Sequence, residues 1–206
     1  SLGLHFSRLR HINLKHYRHF ALVDTQPGTG NNQLPATLSA RLVMDHHPVR
    51  KGSRQASFAD IRPDYGATAS IAAEYLLSSG LPITKAAATG LVYAIHSETL
   101  SFSRESPGPD RVLYDHFYPL ATKRTLGRIQ FPRVPLAYFR TLSNALTSLE
   151  AVDNVIVCHL DSVDTPDSVP EIADLLLRLE GKTWCLATGP HEDRIYLSIR
   201  TTNTRA

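Results

Sequence analysis

Residues 40–50 read ARLVMDHHPVR. Arg41 to Met44 have the character of a short buried strand. The run ends on Asp45, His46 and His47 before Pro48 stops it. Upstream, FALVDT (20–25) has the same form, an apolar run closing on Asp24, and the turn-forming QPGTGNN (26–32) follows. Two runs that each close on an acid imply parallel strands with polar groups at their carboxyl ends. In open α/β sheets that edge holds the ligand. SFADIRP (57–63) reads as a third strand.

Helical segments come next. GATASIAAEYLLSSG (66–80) is rich in Ala and Leu and ends in Gly. Thr84 is placed to cap a second helix, KAAATGLVYAIHS (85–97), and GPDRVLYDHFYPLA (108–121) reads as a third. The Pro-bounded FPRVP (131–135) precedes a long helical stretch, 136–150. A strand over 152–160, a helix over 166–180 and a hairpin of 182–189 with 193–200 complete the pattern. The fold class expected is α/β: a parallel-sheet domain with flanking helices (1–122), a helical linker (123–150) and a smaller α/β domain (151–206).

The chain has 206 residues and a net charge of +3, which by itself does not call for nucleic acid. Two stretches, 8–19 and 123–133, are locally rich in Arg, Lys and His, and read first as solvated faces. Cys158 and Cys185 lie in apolar runs without metal-type spacing, so buried free thiols are expected. No run reaches the ~18 apolar residues of a membrane span, and no signal-peptide segment opens the chain. A soluble, cytoplasmic protein without a membrane partner is expected. The first residue is Ser rather than Met, which reads as an internal start.

Carboxylate oxygen and imidazole nitrogen are good ligands for divalent ions such as Mn²⁺ or Zn²⁺. Adjacent residues on an extended strand point to opposite faces, so His46 and His47 meet one ion only if the chain turns there. One histidine on metal and the other elsewhere is the expected division. Glu98 ends the second predicted helix, where the dipole disfavours an acid and a nearby cation would remove that cost.

VDTQPGTGN (23–31), VMDHHP (43–48), DYGATASI (64–71) and TGLVYAIHSETLSFSRE (89–105) occur in the order found in the DHH phosphoesterase family, which the chain resembles. That family includes RecJ-type exonucleases, bacterial oligoribonuclease/phosphoadenosine-phosphate phosphatases, cyclic-di-AMP phosphodiesterases and family II inorganic pyrophosphatases. DRIYLSIRTT (193–202) resembles the opening of the DHH-associated substrate domain, so 151–206 would be a partial copy of it. The resemblance implies a hydrolase of short oligonucleotides or nucleotide phosphates that activates water with two Mn²⁺ ions, Mg²⁺ being the other candidate. It implies Asp24, His46 and Glu98 as metal ligands and Asp45 as the acceptor that orients the histidine pair. His47 would face the substrate phosphate, and Ser198 and Arg200 would contact substrate.

The pattern departs from the family in three places. The N-terminal metal motif with its strand is not found before Asp24, the glycine-rich histidine segment is not found after TTNTRA, and Glu98 stands where an Asp is usual. The expectation is therefore a fragment of a longer parent that holds one ion rather than two and is feeble or inactive alone. The uncovered sheet edge invites association, hence a homodimer. Three alternatives stay open: a nucleotide-sensing module that lost turnover, a pyrophosphatase or cyclic-dinucleotide phosphodiesterase within the family, and an α/β protein whose Asp24, His46 and Glu98 lie apart.

Overall fold

The computed structural model describes residues 2–103 and 108–203. Arg104 and Glu105, which end the fourth family-like stretch, lie outside the described residues. The chain divides into two compact units, Ser1–Pro132 and Arg133–Ala206. The break falls inside the Pro-bounded FPRVP stretch. The 123–150 segment therefore contributes one helix to each unit.

The first unit is built on a parallel sheet of β1 (Ala21–Val23), β2 (Leu42–Asp45) and β3 (Phe58–Ile61), in that order. The register aligns Val23 with Met44 and Asp45 with Ile61, so the strands deliver their carboxyl ends to one edge. Val43 on the central strand is fully buried beside Leu22 and Ala40. Burying such a side chain is worth roughly 1.5–3 kcal/mol. Helices α1 (Thr68–Ser78), α2 (Lys85–Glu98), α3 (Gly108–Phe117) and α4 (Lys123–Gln130) follow. Thr84 caps α2 as expected, its hydroxyl accepting from the Ala87 amide at 3.1 Å. Ala88, Val92 and Ile95 form the buried stripe of α2 and pack with Leu113 and Phe117 of α3.

An ion-pair network ties β3 to α1. Arg62 donates from Nε and Nη2 to the two oxygens of Asp60 at 2.8 and 2.7 Å, and from Nη1 to Glu74. The Tyr65 hydroxyl donates to the other Glu74 oxygen at 2.6 Å. Hydrogen bonds from Arg62 hold the Asp60 carboxyl below its ordinary pKa, and those from Tyr65 and then Arg62 do the same for Glu74. Both folded pKa values are depressed, so the unfolded chain binds more protons in acid. The stabilisation is complete above the unfolded carboxylate value of ~4 and is lost as pH falls through the folded values. Urea midpoints measured from pH 6 to pH 3 are expected to fall less steeply in Arg62→Met than in the wild type. Equal slopes would refute this account.

The second unit has α5 (Leu136–Thr147), β4 (Glu150–Val152), β5 (Val155–His159), α6 (Ser168–Leu176), β6 (Trp184–His191) and β7 (Arg194–Thr201). Its sheet runs β4-β5-β6-β7, with β5 and β6 parallel and the outer pairs antiparallel. Two expectations are corrected here. The helix over 136–150 ends at Thr147, and Glu150 begins a strand. The single strand over 152–160 is a hairpin, because Asp153 takes a left-handed φ of 47° and reverses the chain. Cys158 and Cys185 are free and buried, as expected, and burial raises both thiol pKa values. No helix of the described residues is long and apolar enough to cross a membrane.

Candidate metal centre

The carboxyl ends of β1 and β2 bring the two acid-terminated runs together. Asp24 follows β1 with φ of 61°, a left-handed turn that Asp tolerates better than most residues. Its amide donates to the Met44 carbonyl at 2.9 Å, which sets it beside the end of β2. From the start of α1, the Thr68 hydroxyl donates to Asp24 Oδ1 at 2.7 Å. On either side of Thr68, the buried Asp110 of α3 accepts from the Gly66 amide at 2.8 Å and from the Ser70 hydroxyl.

His46 faces the same point. Its Nδ1 lies 3.1 Å from the Tyr65 carbonyl oxygen, which can only accept, so the proton sits on Nδ1. In the neutral ring Nε2 then carries the lone pair. This atom is buried and has no hydrogen-bond partner among the described residues. Asp24 Oδ1 lies 3.7 Å from it and Glu98 Oε1 3.8 Å. These separations are too long for hydrogen bonds. They are a few tenths of an ångström wider than the ~3.4 Å expected between ligands about 2.1 Å from a shared tetrahedral ion. Asp24 and Glu98 thus each approach His46 and do not lie apart from it as the third alternative requires, though Glu98 falls outside the tightest donor set, which is Asp24, His46 and His47.

His47 departs from the expected division between faces. The chain bends at this residue, and the two imidazole centroids are 4.4 Å apart. Ligand atoms of Asp24, His46 and His47 all lie within 4.8 Å of one another, so both histidines border one site. His47 donates from Nδ1 to Asp45 Oδ1 at 2.8 Å, and this bond raises its pKa against the opposing effect of burial. Asp45 is fully buried. Burial would push its carboxyl up, but hydrogen bonds from His47 and Gln26 outweigh that and hold it low. Asp45 orients the His47 ring and binds only the backbone amide of His46, at 2.9 Å. The expectation that it aligns both rings is corrected: the Tyr65 carbonyl sets His46.

Gln26 is fully buried, and nothing in QPGTGNN beyond turn chemistry pointed to it. Its Nε2 donates to Asp45 Oδ2 at 2.7 Å and to the Pro48 carbonyl at 3.2 Å. Its Oε1 accepts from the Arg50 amide at 2.8 Å and from the Ser53 hydroxyl at 2.7 Å. Thr68 and Asp110 were likewise not singled out. Beside Asp24 and Glu98 lies a largely apolar pocket of about 320 Å³, lined by Val23, Thr68, Ala72, Leu91 and Ala94 among others.

No known family model matches the chain. An uncharacterized protein of Methanocaldococcus jannaschii is 29% identical over 206 residues, which is 99% of this chain and 42% of that protein. A crystal structure of an exopolyphosphatase-related protein from Bacteroides fragilis superposes with a TM-score of 0.67 at 13% identity, over 80% of this chain and 52% of that one. The likeness is one of fold. The chain thus spans about half the length or less of each of these proteins.

In the second unit, Ser198 and Arg200 share the β7 face that packs on α6. Arg200 donates from Nε to Asp174 of α6 at 2.7 Å and keeps its side chain 40% exposed. Ser198 is buried, and its hydroxyl has no partner among the described residues. The substrate contact expected of Ser198 would need this hydroxyl to become exposed.

The turn after Glu98 carries strain. Leu100, Ser101 and Phe102 take φ values of 49°, 60° and 61°. Leu100 is largely exposed, so its side chain gains little from burial. A left-handed residue costs about 1–2 kcal/mol, and a glycine there gives back about 0.5–1 kcal/mol in unfolded-chain entropy. Leu100→Gly is expected to raise stability by about 0.5–1 kcal/mol in urea denaturation. A loss of stability would show that Leu100 packs usefully.

Proposed function

We propose that the first unit is the catalytic part of a divalent-metal-dependent phosphoesterase acting on short oligonucleotides or nucleotide phosphates, of the DHH type. The observation that carries this reading is His46 Nε2, a buried and unpartnered lone pair between two carboxylates. Leaving such an atom unsatisfied costs roughly 1–3 kcal/mol, and a cation offsets that cost. Asp24, His46 and Glu98 would hold it. The oxygen and nitrogen donor set suits Mn²⁺ first and Mg²⁺ second. When bound, such an ion supplies Lewis-acid activation of water and neutralises charge on a phosphoryl oxygen.

The chain's own residues do the rest. Thr68 and the Tyr65 carbonyl fix Asp24 and His46 before any ligand arrives. His47, held by Asp45, turns its Nε2 edge to the substrate phosphate, and its raised pKa favours the protonated, donating form. The apolar pocket beside Asp24 falls within the size range of ligand sites and would take a base or sugar. In the second unit, taken by itself, Arg200 would offer a phosphate the terminal nitrogens of its guanidinium, since Asp174 engages Nε.

The test is hydrolysis of a 5′-phosphorylated dinucleotide by the whole protein, with Mn²⁺ and after chelation. Turnover that needs Mn²⁺ and disappears in Asp24→Asn is expected. Turnover indifferent to chelation would refute the reading. Dinucleotide binding without Mn²⁺ binding would favour a sensing module instead.

A further inference from the structure

The charge of the molecule is divided unevenly along the chain. Residues 1–59 hold eight Lys and Arg against two acids, Asp24 and Asp45, while the remaining 147 residues hold fourteen against seventeen. Both acids of the basic segment are committed to the centre described above. Directly after His47 and Pro48 comes the 3-10 turn Lys51–Gln55, which with Arg50 presents three exposed cations, Arg50, Lys51 and Arg54. Their side chains make no ion pair or hydrogen bond among the described residues.

This turn is tied through Gln26 to the carboxylate behind His47. Gln26 accepts from the Arg50 amide and the Ser53 hydroxyl with one end and donates to Asp45 with the other. Ser53 is buried beneath it. Gly52 lies so close to Pro27 that a Cβ at 52 would stand 3.2 Å from the Pro27 carbonyl oxygen. One buried amide side chain thus sets both the carboxylate that aims His47 and the backbone that carries the cations. Arg50 lies three residues from His47, a span of no more than ~11 Å. A guanidinium or ammonium held at that reach suits a neighbouring phosphate.

We propose that Arg50, Lys51 and Arg54 determine specificity by binding a second phosphate, so that the preferred substrate carries at least two linked phosphate groups. This rests on the phosphoesterase reading for the identity of the first phosphate, but its test does not depend on turnover.

Calorimetry without added metal compares inorganic phosphate, tripolyphosphate and a 5′-phosphorylated trinucleotide. At least one of the two longer ligands is expected to bind about tenfold or more tightly than phosphate. R50S/K51S/R54S is expected to lose that preference, while R8S/R10S/K15S, with the same charge change, keeps it. The three side chains are exposed, and thermal melts confirm that each variant folds. Preference for the trinucleotide alone assigns the linked phosphates to an oligonucleotide, and preference for tripolyphosphate alone to an inorganic chain. Either supports the proposal. No preference in the wild type, or equal losses in both triple variants, overturns it. Failure of Mn²⁺-dependent turnover would count against the hydrolase reading and leave this comparison standing.

Discussion

Mn²⁺ binding is expected to weaken more than about 100-fold in His46→Ala, while the fold survives. Loss of an outer partner of a metal ligand already costs roughly 10–100-fold in affinity or activity. His46 contributes the buried atom itself, and the change leaves the carboxylates of Asp24 and Glu98 without the imidazole between them. Among the described residues the change removes the Nδ1 bond to the Tyr65 carbonyl and the ring contact with His47 but no other side-chain hydrogen bond, so the melting temperature without metal is expected to fall modestly. In the wild type, Mn²⁺ at a hundred times its Kd is expected to stabilise the folded chain by about 2.7 kcal/mol. That rise is absent in the variant. Titration calorimetry and thermal melts with and without Mn²⁺ check both halves. Unchanged affinity in His46→Ala would remove the imidazole from the centre and the metal reading with it.

Gln26→Leu destabilises the first unit by about 3 kcal/mol. The leucine fills similar volume but answers none of the polar groups that Gln26 now serves. Asp45 Oδ2 loses its donor inside the protein, and the Arg50 amide and Ser53 hydroxyl lose their acceptor. A buried group left unsatisfied costs about 1–3 kcal/mol, more when charged, and local water entry recovers part of it. Asp45 remains bonded to His47 and to the His46 amide, which limits the damage. Urea denaturation followed by circular dichroism measures the change. A loss under about 1 kcal/mol would mean that the 46–53 segment stands without its buried amide.

The strand ends could be read before any coordinates because apolar runs that close on an acid have few other uses. Asp24, Asp45 and the two histidines followed from that pattern, and Thr84 from its place before an apolar stripe. What the sequence concealed depends on contacts between distant positions. Gln26 sits among turn formers, and its burial follows from the return of residues 46–53 over it, which no local pattern encodes. Asp110 looked like any acid in a helix's first turn, yet it holds the loop that aims Thr68. The bend at His47 overrode the alternation expected of a strand. The β4–β5 hairpin was hidden because its reversal uses Asp153 in a left-handed conformation, without the glycine that usually marks such a turn.

The two enclosed thiols have a practical consequence. With Cys158 and Cys185 at zero exposure and their ionisation disfavoured, maleimide reagents find little thiolate to attack in the native chain. A single surface cysteine introduced on the 50–54 segment would be the one fast-reacting position. A fluorophore could therefore be attached next to the centre in an otherwise unaltered background.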